Sequence, residues 1–185
     1  MPKLVLPTRA IQVINQSIHL FHHYGFHTVG IDRIVKESNI PKGTFYNYFH
    51  SKERFIEICL IVQKERLKEK VVSIAEYTSY TSARDKLKAL YLFHTDLEGL
   101  YYLLFKAIFE TKLTYSKAYQ VVIKYRTWLI NEIYSQLRAL KTDANFQDAK
   151  LFLYMIEGTI IQLLDSNQVD ERENVLECFL RSLGS

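Results

Sequence analysis

Hydrophobic positions recur at helical spacing along almost the whole chain, and no stretch alternates as a strand does or closes as a hairpin. Thr8 can cap a first helix in which Ile11, Ile14, Ile18 and Phe21 share one face. Tyr24-Gly25 stops it, because glycine can take the left-handed conformation beyond a helix end. A short helix follows Gly30, with Ile31, Ile34 and Val35 on one side, and ends at Ser38-Asn39. Asparagine tolerates positive φ, so a sharp turn is expected there. Pro41 opens another short helix, with Phe45 and Phe49 facing inward at i and i+4. Ser51 caps a long helix running to about residue 75, and 77–82 read as a polar loop. Further helices are expected near 83–96, 100–113, 116–140, 144–166 and 171–183, broken at Gly99, Thr142-Asp143 and 166–170.

Residues 31–49 therefore read as helix, tight turn and helix, braced by the first helix. This is the helix-turn-helix plan, whose second helix enters the major groove of DNA. Its outward residues are Lys42, Gly43, Thr44, Tyr46, Asn47 and Tyr48, a polar face that a buried helix would not carry. Charge changes the picture further. Residues 1–54 hold seven Lys/Arg against three Asp/Glu, whereas the remaining 131 hold 17 of each, so the whole excess of +4 lies on this N-terminal module. That is the footprint of a surface that meets phosphates. The chain divides into a DNA-binding domain at 1–54 and a helical domain at 55–185, an all-α protein of about nine helices.

With 185 residues, 48% of them hydrophobic, the chain can bury a sizeable core and is not disordered. No apolar run approaches the roughly 18 residues of a membrane helix, and the N-terminus is too short and proline-broken for a signal peptide. Cys59 and Cys178 lie far apart and are expected in the core. No catalytic motif such as GxSxG, HExxH or a P-loop occurs, so neither an enzyme nor a cofactor is expected, and the location is expected to be the cytoplasm. His19, His22, His23 and His27 could share an ion, but they read as polar positions of the first helix, and no metal is assigned.

The run Gly25-Phe-His-Thr-Val-Gly-Ile-Asp-Arg-Ile, followed by Pro41-Lys-Gly-Thr-Phe-Tyr-Asn-Tyr-Phe-His-Ser-Lys-Glu, resembles the DNA-binding domain of the TetR (tetracycline repressor) family over about residues 8–60. Gly-Thr-Phe-Tyr-x-x-Phe-x-Ser-Lys-Glu at 43–53 is its most specific piece. Beyond it only Glu157-Gly-Thr-Ile-Ile-Gln-Leu resembles the family, at the start of its dimerisation segment. The resemblance implies an all-helical homodimer that binds a palindromic operator in double-stranded DNA and leaves it when a small molecule binds the C-terminal domain. It implies that Lys42 and Gly43 open the recognition helix, that Thr44, Tyr46 and Tyr48 sit at phosphate- and base-contact positions beside Asn47, and that Lys52 meets a phosphate. Gly30 and Ile31 sit where the family's second helix offers backbone N–H groups to a phosphate. Three positions depart from the pattern: Ser38-Asn39 replaces Ala-Gly, Tyr48 replaces a common His, and Gly30 replaces a capping Thr or Ser.

For the effector, a helix-lined cavity with aromatic walls and a few hydroxyls suits apolar or cationic molecules. The candidate lining is Tyr101, Phe105, Phe109, Tyr125 and Trp128, with His94 as a polar group. Glu98, Glu110 and Glu157 can favour a cation or stand as solvated helix residues. The last two helices carry Phe152, Met155, Ile156, Ile160 and Leu164, then Val175, Phe179 and Leu183, apolar stripes that a second copy would cover in a four-helix bundle. Two alternatives stay open: a helical adaptor that binds acidic protein surfaces without sequence preference among duplexes, and an activator of the same family.

Overall fold

The computed structural model describes residues 7–76, 82–166 and 169–182, the side chains of 169 and 170 excepted. Among the described residues there are nine helices and no strand: α1 (Thr8–Tyr24), α2 (Ile31–Glu37), α3 (Lys42–Phe49), α4 (Lys52–Glu76), α5 (Ala83–His94), α6 (Leu100–Thr111), α7 (Ser116–Leu140), α8 (Phe146–Ser166) and α9 (Val169–Ser182). Every helix expected from the spacing is present, and local chemistry accounts for the ends. The Asn145 side chain accepts from the amides of Gln147 at 2.7 Å and Asp148 at 3.3 Å, while the Asp148 carboxylate accepts from the Asn145 amide at 2.8 Å. This reciprocal box starts α8 at Phe146 rather than at 144. Ser82 caps α5 through the Asp85 amide, and Ser51 caps α4 through the Arg54 amide at 3.1 Å. Thr8 is not a cap: it lies inside α1, preceded by Pro7, which has no side chain to accept a bond. The polar loop expected at 77–82 falls, Ser82 aside, outside the described residues.

Contacts divide the chain into two units, Met1–Glu65 with Leu103–Ile123, and Arg66–Tyr102 with Lys124–Ser185. In the first, Ala10, Val13, Ile14, Phe21, Phe26, Ile34, Phe45, Phe49 and Phe55 are all buried. Ile11, expected on the inward face, is 44% exposed; Ala10 and Val13 take the buried positions instead. Phe45, Phe49 and Phe55 form one aromatic cluster, with ring centroids 5.2 Å apart for Phe45–Phe49, 5.0 Å for Phe45–Phe55 and 4.4 Å for Phe49–Phe55. In the second unit, Leu87, Leu90, Tyr91, Tyr101, Tyr125, Leu129, Phe152, Ile156, Ile160 and Leu176 make the core. The Tyr91 hydroxyl donates to the Arg172 carbonyl at 3.0 Å and meets Thr159 Oγ1 at 2.7 Å, so its burial leaves no orphaned group. Cys59 is buried as expected, but Cys178 is exposed. The buried stripe of α9 is Leu176 and Leu180, and a residue two positions from Leu176 lies across the helix from it. No helix among the described residues is long and apolar enough to cross a membrane.

His94 is fully buried. Its Nδ1 bonds the Leu90 carbonyl at 2.6 Å and its Nε2 meets the Tyr125 hydroxyl at 2.8 Å. A carbonyl only accepts, so Nδ1 carries the proton and Nε2 accepts from tyrosine, the neutral tautomer. Burial pushes the imidazole pKa from 6.5 down to about 4. Between these values the unfolded chain binds a proton that the folded chain does not, so stability is full above pH 6.5 and is lost as pH falls toward 4. The difference is on the order of 2 kcal/mol at pH 5. Urea midpoints at pH 7.5 and pH 5 should therefore fall further for the parent protein than for His94→Gln; equal falls would show that His94 does not titrate on unfolding.

Candidate nucleic-acid interface

α3 is eight residues long and buries only Phe45 and Phe49 completely. Its other side is offered outward: Lys42, Gly43, Tyr46 and Asn47 are exposed, and Thr44 and Tyr48 are half-buried. The backbone entering α3 is set by Asn39, whose φ of 49° gives the turn after α2 the positive angle expected of asparagine. The Arg9 guanidinium donates to the Asn39 carbonyl at 3.1 Å, tying α1 to that turn. Gly30 precedes α2 in extended conformation without a side-chain cap, and a Cβ there would meet nothing within 4 Å. Ile31 is half-buried behind it.

The electrostatics are those of a poised surface. Lys42 Nζ sits 2.7 Å from Asp32 Oδ1, and this hydrogen bond, with the charge behind it, raises the lysine pKa. Both side chains are largely solvated, at 53% and 82% exposure, so the pair is weak and can be exchanged for a phosphate. Lys52, at the start of α4, is half-buried and donates to the His27 carbonyl at 3.3 Å. Burial lowers its pKa and Glu110 partly restores it. Arg33 lies over the Tyr24 ring at 3.7 Å and pairs with Glu37 at 3.6 Å.

What holds this face from behind was not read from the sequence. Glu110 of α6, a residue that spacing alone leaves as a solvated acid, accepts from the Phe26 amide at 2.6 Å and the His27 amide at 3.4 Å. The His27 ring meets the Glu110 carbonyl at 2.7 Å and stacks on Tyr115 at 5.5 Å, and Lys106 donates to the His22 carbonyl. These contacts lie within the first unit and fix the turn between α1 and α2. Gly25 opens that turn with φ of 80°, and a Cβ on it would sit 2.7 Å from Glu110 Oε1. Both the angle and the space require glycine. A glycine before an aromatic at a helix end is the visible half of this signal; its acidic partner, 85 positions later, has none.

The candidate ligand residues divide between the units. His94, Tyr101, Tyr125 and Trp128 are contiguous in the second: His94–Tyr101 centroids lie 4.9 Å apart, Tyr101–Tyr125 5.8 Å and Tyr125–Trp128 5.7 Å. Phe105 and Phe109 pair with each other in the first, at 5.3 Å. Phe109 is 65% exposed, although it shares a helix face with the buried Phe105 one turn before it. Glu157 is likewise no solvated acid. It pairs with Arg126 and accepts from the Tyr101 hydroxyl at 3.1 Å.

The expected dimer stripe needs correcting. Phe152, Ile156 and Ile160 are wholly buried in their own protomer and cannot reach a second copy. Met155 and Phe179 are half-buried, with Phe179 packed on Phe152 at 5.3 Å, and Leu183 lies outside the described residues. The outward apolar residues among those described are Phe146, Leu151, Tyr154, Ile161 and Leu164 of α8 and Val175 of α9. α8 is apolar on both sides, so periodicity could not say which side faces inward.

Comparison with known proteins agrees with this geometry. Residues 13–58 match the sequence model of the bacterial regulatory proteins of the tetR family. The transcriptional regulator UidR of Escherichia coli is 35% identical over 60 residues, which are 32% of this chain and 30% of UidR. The negative regulator IcaR of the Staphylococcus aureus icaADBC biofilm operon is 24% identical over 141 residues, 76% of this chain and 68% of IcaR. The chain thus spans less than half the length of the first curated relatives it matches. The reduced form of Escherichia coli NemR superposes with a TM-score of 0.82 at 20% identity, covering 92% of this chain and 95% of NemR, which establishes a shared fold.

Removing the Glu110 carboxylate should cost about 1–3 kcal/mol, chiefly by leaving the part-buried Phe26 amide without its acceptor. Glu110→Ala is accordingly expected to lower the urea midpoint, and Gly25→Ala should lower it less in that background than in the parent protein. Additive effects would show that the two positions do not share this contact.

Proposed function

From the match of residues 13–58 to the tetR family of bacterial regulatory proteins, we propose that this chain is a cytoplasmic DNA-binding transcriptional regulator of that family, a repressor that binds a palindromic operator as a homodimer and leaves it on binding a small-molecule effector. The observation that carries the proposal is the outward face of α3, where Lys42, Tyr46 and Asn47 stand exposed on a helix pinned by two fully buried phenylalanines. Lysine supplies a point charge for phosphate, tyrosine a hydroxyl and a ring edge for a thymine methyl, and asparagine the paired donor and acceptor that adenine accepts. Gly30, Ile31, Gly43, Thr44, Tyr48 and Lys52 would complete the surface through backbone N–H groups, hydroxyls and one further cation. The excess charge of +4 lies on the same module.

One such module reads only a few base pairs, so a two-fold dimer spanning half-sites about 34 Å apart, or a multiple of that, gives useful specificity. The outer face of α8 and α9, with Leu151, Tyr154, Ile161, Leu164 and Val175, supports a homodimer seam better than the stripe read from periodicity. Effector binding among the second unit's aromatic residues would be felt through α4, α6 and α7, each of which contributes residues to both units. Such couplings are typically worth about 1–3 kcal/mol.

Fluorescence anisotropy with DNA flanking the protein's own gene tests this, with a scrambled duplex as competitor and salt varied. Tyr46→Ala and Lys42→Ala should weaken selective binding. Lys52→Ala should weaken binding to both duplexes and flatten the salt slope by about one unit. Asp32→Asn, which frees Lys42 from its internal carboxylate, should tighten binding. Operator affinity unchanged in the Tyr46 and Lys42 variants would remove α3 as the recognition helix, and equal weak binding to all duplexes in a genome-wide fragment selection would favour a protein-binding adaptor.

A further inference from the structure

We propose that the effector of the second unit is an organic cation, held by the Glu157 carboxylate and the rings of Tyr101, Tyr125 and Trp128, in places that the chain now fills with its own cations. This rests on the effector-binding reading above and names the class of molecule. Two observations carry it. Arg126 pairs with Glu157, whose side chain is only 15% exposed and which also accepts from Tyr101. Independently, Lys68 places its ammonium over the Trp128 ring, 4.7 Å from the centroid. One contiguous cluster thus holds a guanidinium on its acid and an ammonium on its indole.

The chemistry decides which partner an incoming molecule replaces. A cation entering as Arg126 leaves keeps the buried charge balanced; so would an anion entering as Glu157 leaves. Arg126 has the long side chain and is 21% exposed, so it can carry its charge to water while its stem stays packed. The glutamate is shorter, and its neighbour Ile156 is wholly buried. Aromatic faces carry a negative quadrupole that attracts cations and repels anions. His94 adds no competing charge, because a neutral ring satisfies both its bonds. The groups the effector would replace, a guanidinium on the acid and an ammonium on the indole, call for a compact cationic head such as a trimethylammonium.

Trp128 is the only tryptophan in the chain, so its fluorescence reports on this cluster directly. The full-length protein would be titrated, without DNA, with benzyltrimethylammonium, benzyl alcohol and phenylacetate. The expected result is a saturable change with the cation, at least tenfold tighter than with benzyl alcohol, and none with phenylacetate. Glu157→Gln should lose at least tenfold in cation affinity. Because that variant also strips Arg126 of its partner, Lys68→Ala provides a second reading: it leaves the acid in place, frees the indole face and should tighten the cation two- to fivefold. No saturable response in either the parent protein or Lys68→Ala would overturn the proposal. So would phenylacetate binding more tightly than the cation, or unchanged affinity in a Glu157→Gln protein whose circular dichroism is intact. Operator binding measured separately by anisotropy keeps the two readings apart: selective DNA binding with no cation response sinks the cation site and leaves the regulator standing.

Discussion

A helix of eight residues has no stability of its own in water. α3 exists because Phe45 and Phe49 are sunk against Phe55 of α4, with ring centroids 4.4 to 5.2 Å apart. Everything the first unit presents to a partner depends on that cluster. It spends the two apolar positions of α3 on anchoring and leaves Lys42, Tyr46 and Asn47 free to face outward. It also couples the end of α3 to the capped start of α4, where Lys52 stands. That face is thus a set of polar side chains held on an aromatic base, as the proposed reading of base edges would require.

The turn between α1 and α2 adds a second constraint. Backbone amides at a chain reversal must be satisfied or left to water. Here the Phe26 and His27 amides are taken by a carboxylate from α6, and Gly25 combines a φ of 80° with that carboxylate standing where a Cβ would point. A residue far along the sequence thereby sets the geometry of the helix-turn-helix. The same helix contributes residues to the second unit.

The second unit keeps several polar groups inside by pairing them with one another. Tyr91 meets Thr159 and the Arg172 carbonyl, His94 meets Leu90 and Tyr125, and Tyr101 joins Glu157 with Arg126. Buried networks of this kind fix one arrangement while every member is satisfied, and they become unstable when one partner is removed.

The sequence by itself determined the helices of the described residues, the helix-turn-helix, its outward face and the two anchoring phenylalanines. Each of these is set by local signals: helical spacing, Pro41 and Ser51 at helix starts, and an Asn39 that accepts positive φ. Only the tertiary structure decided which side of α8 faces inward, because a helix with Leu151, Phe152, Tyr154, Ile156, Ile160 and Ile161 is apolar around most of its circumference. It alone moved Ile11, Cys178 and Phe109 to the surface. It alone showed what Glu110 and Glu157 are for. A carboxylate on a helix looks the same in sequence whether water or a buried amide, hydroxyl or guanidinium receives it, and that partner is chosen by packing between residues distant along the chain.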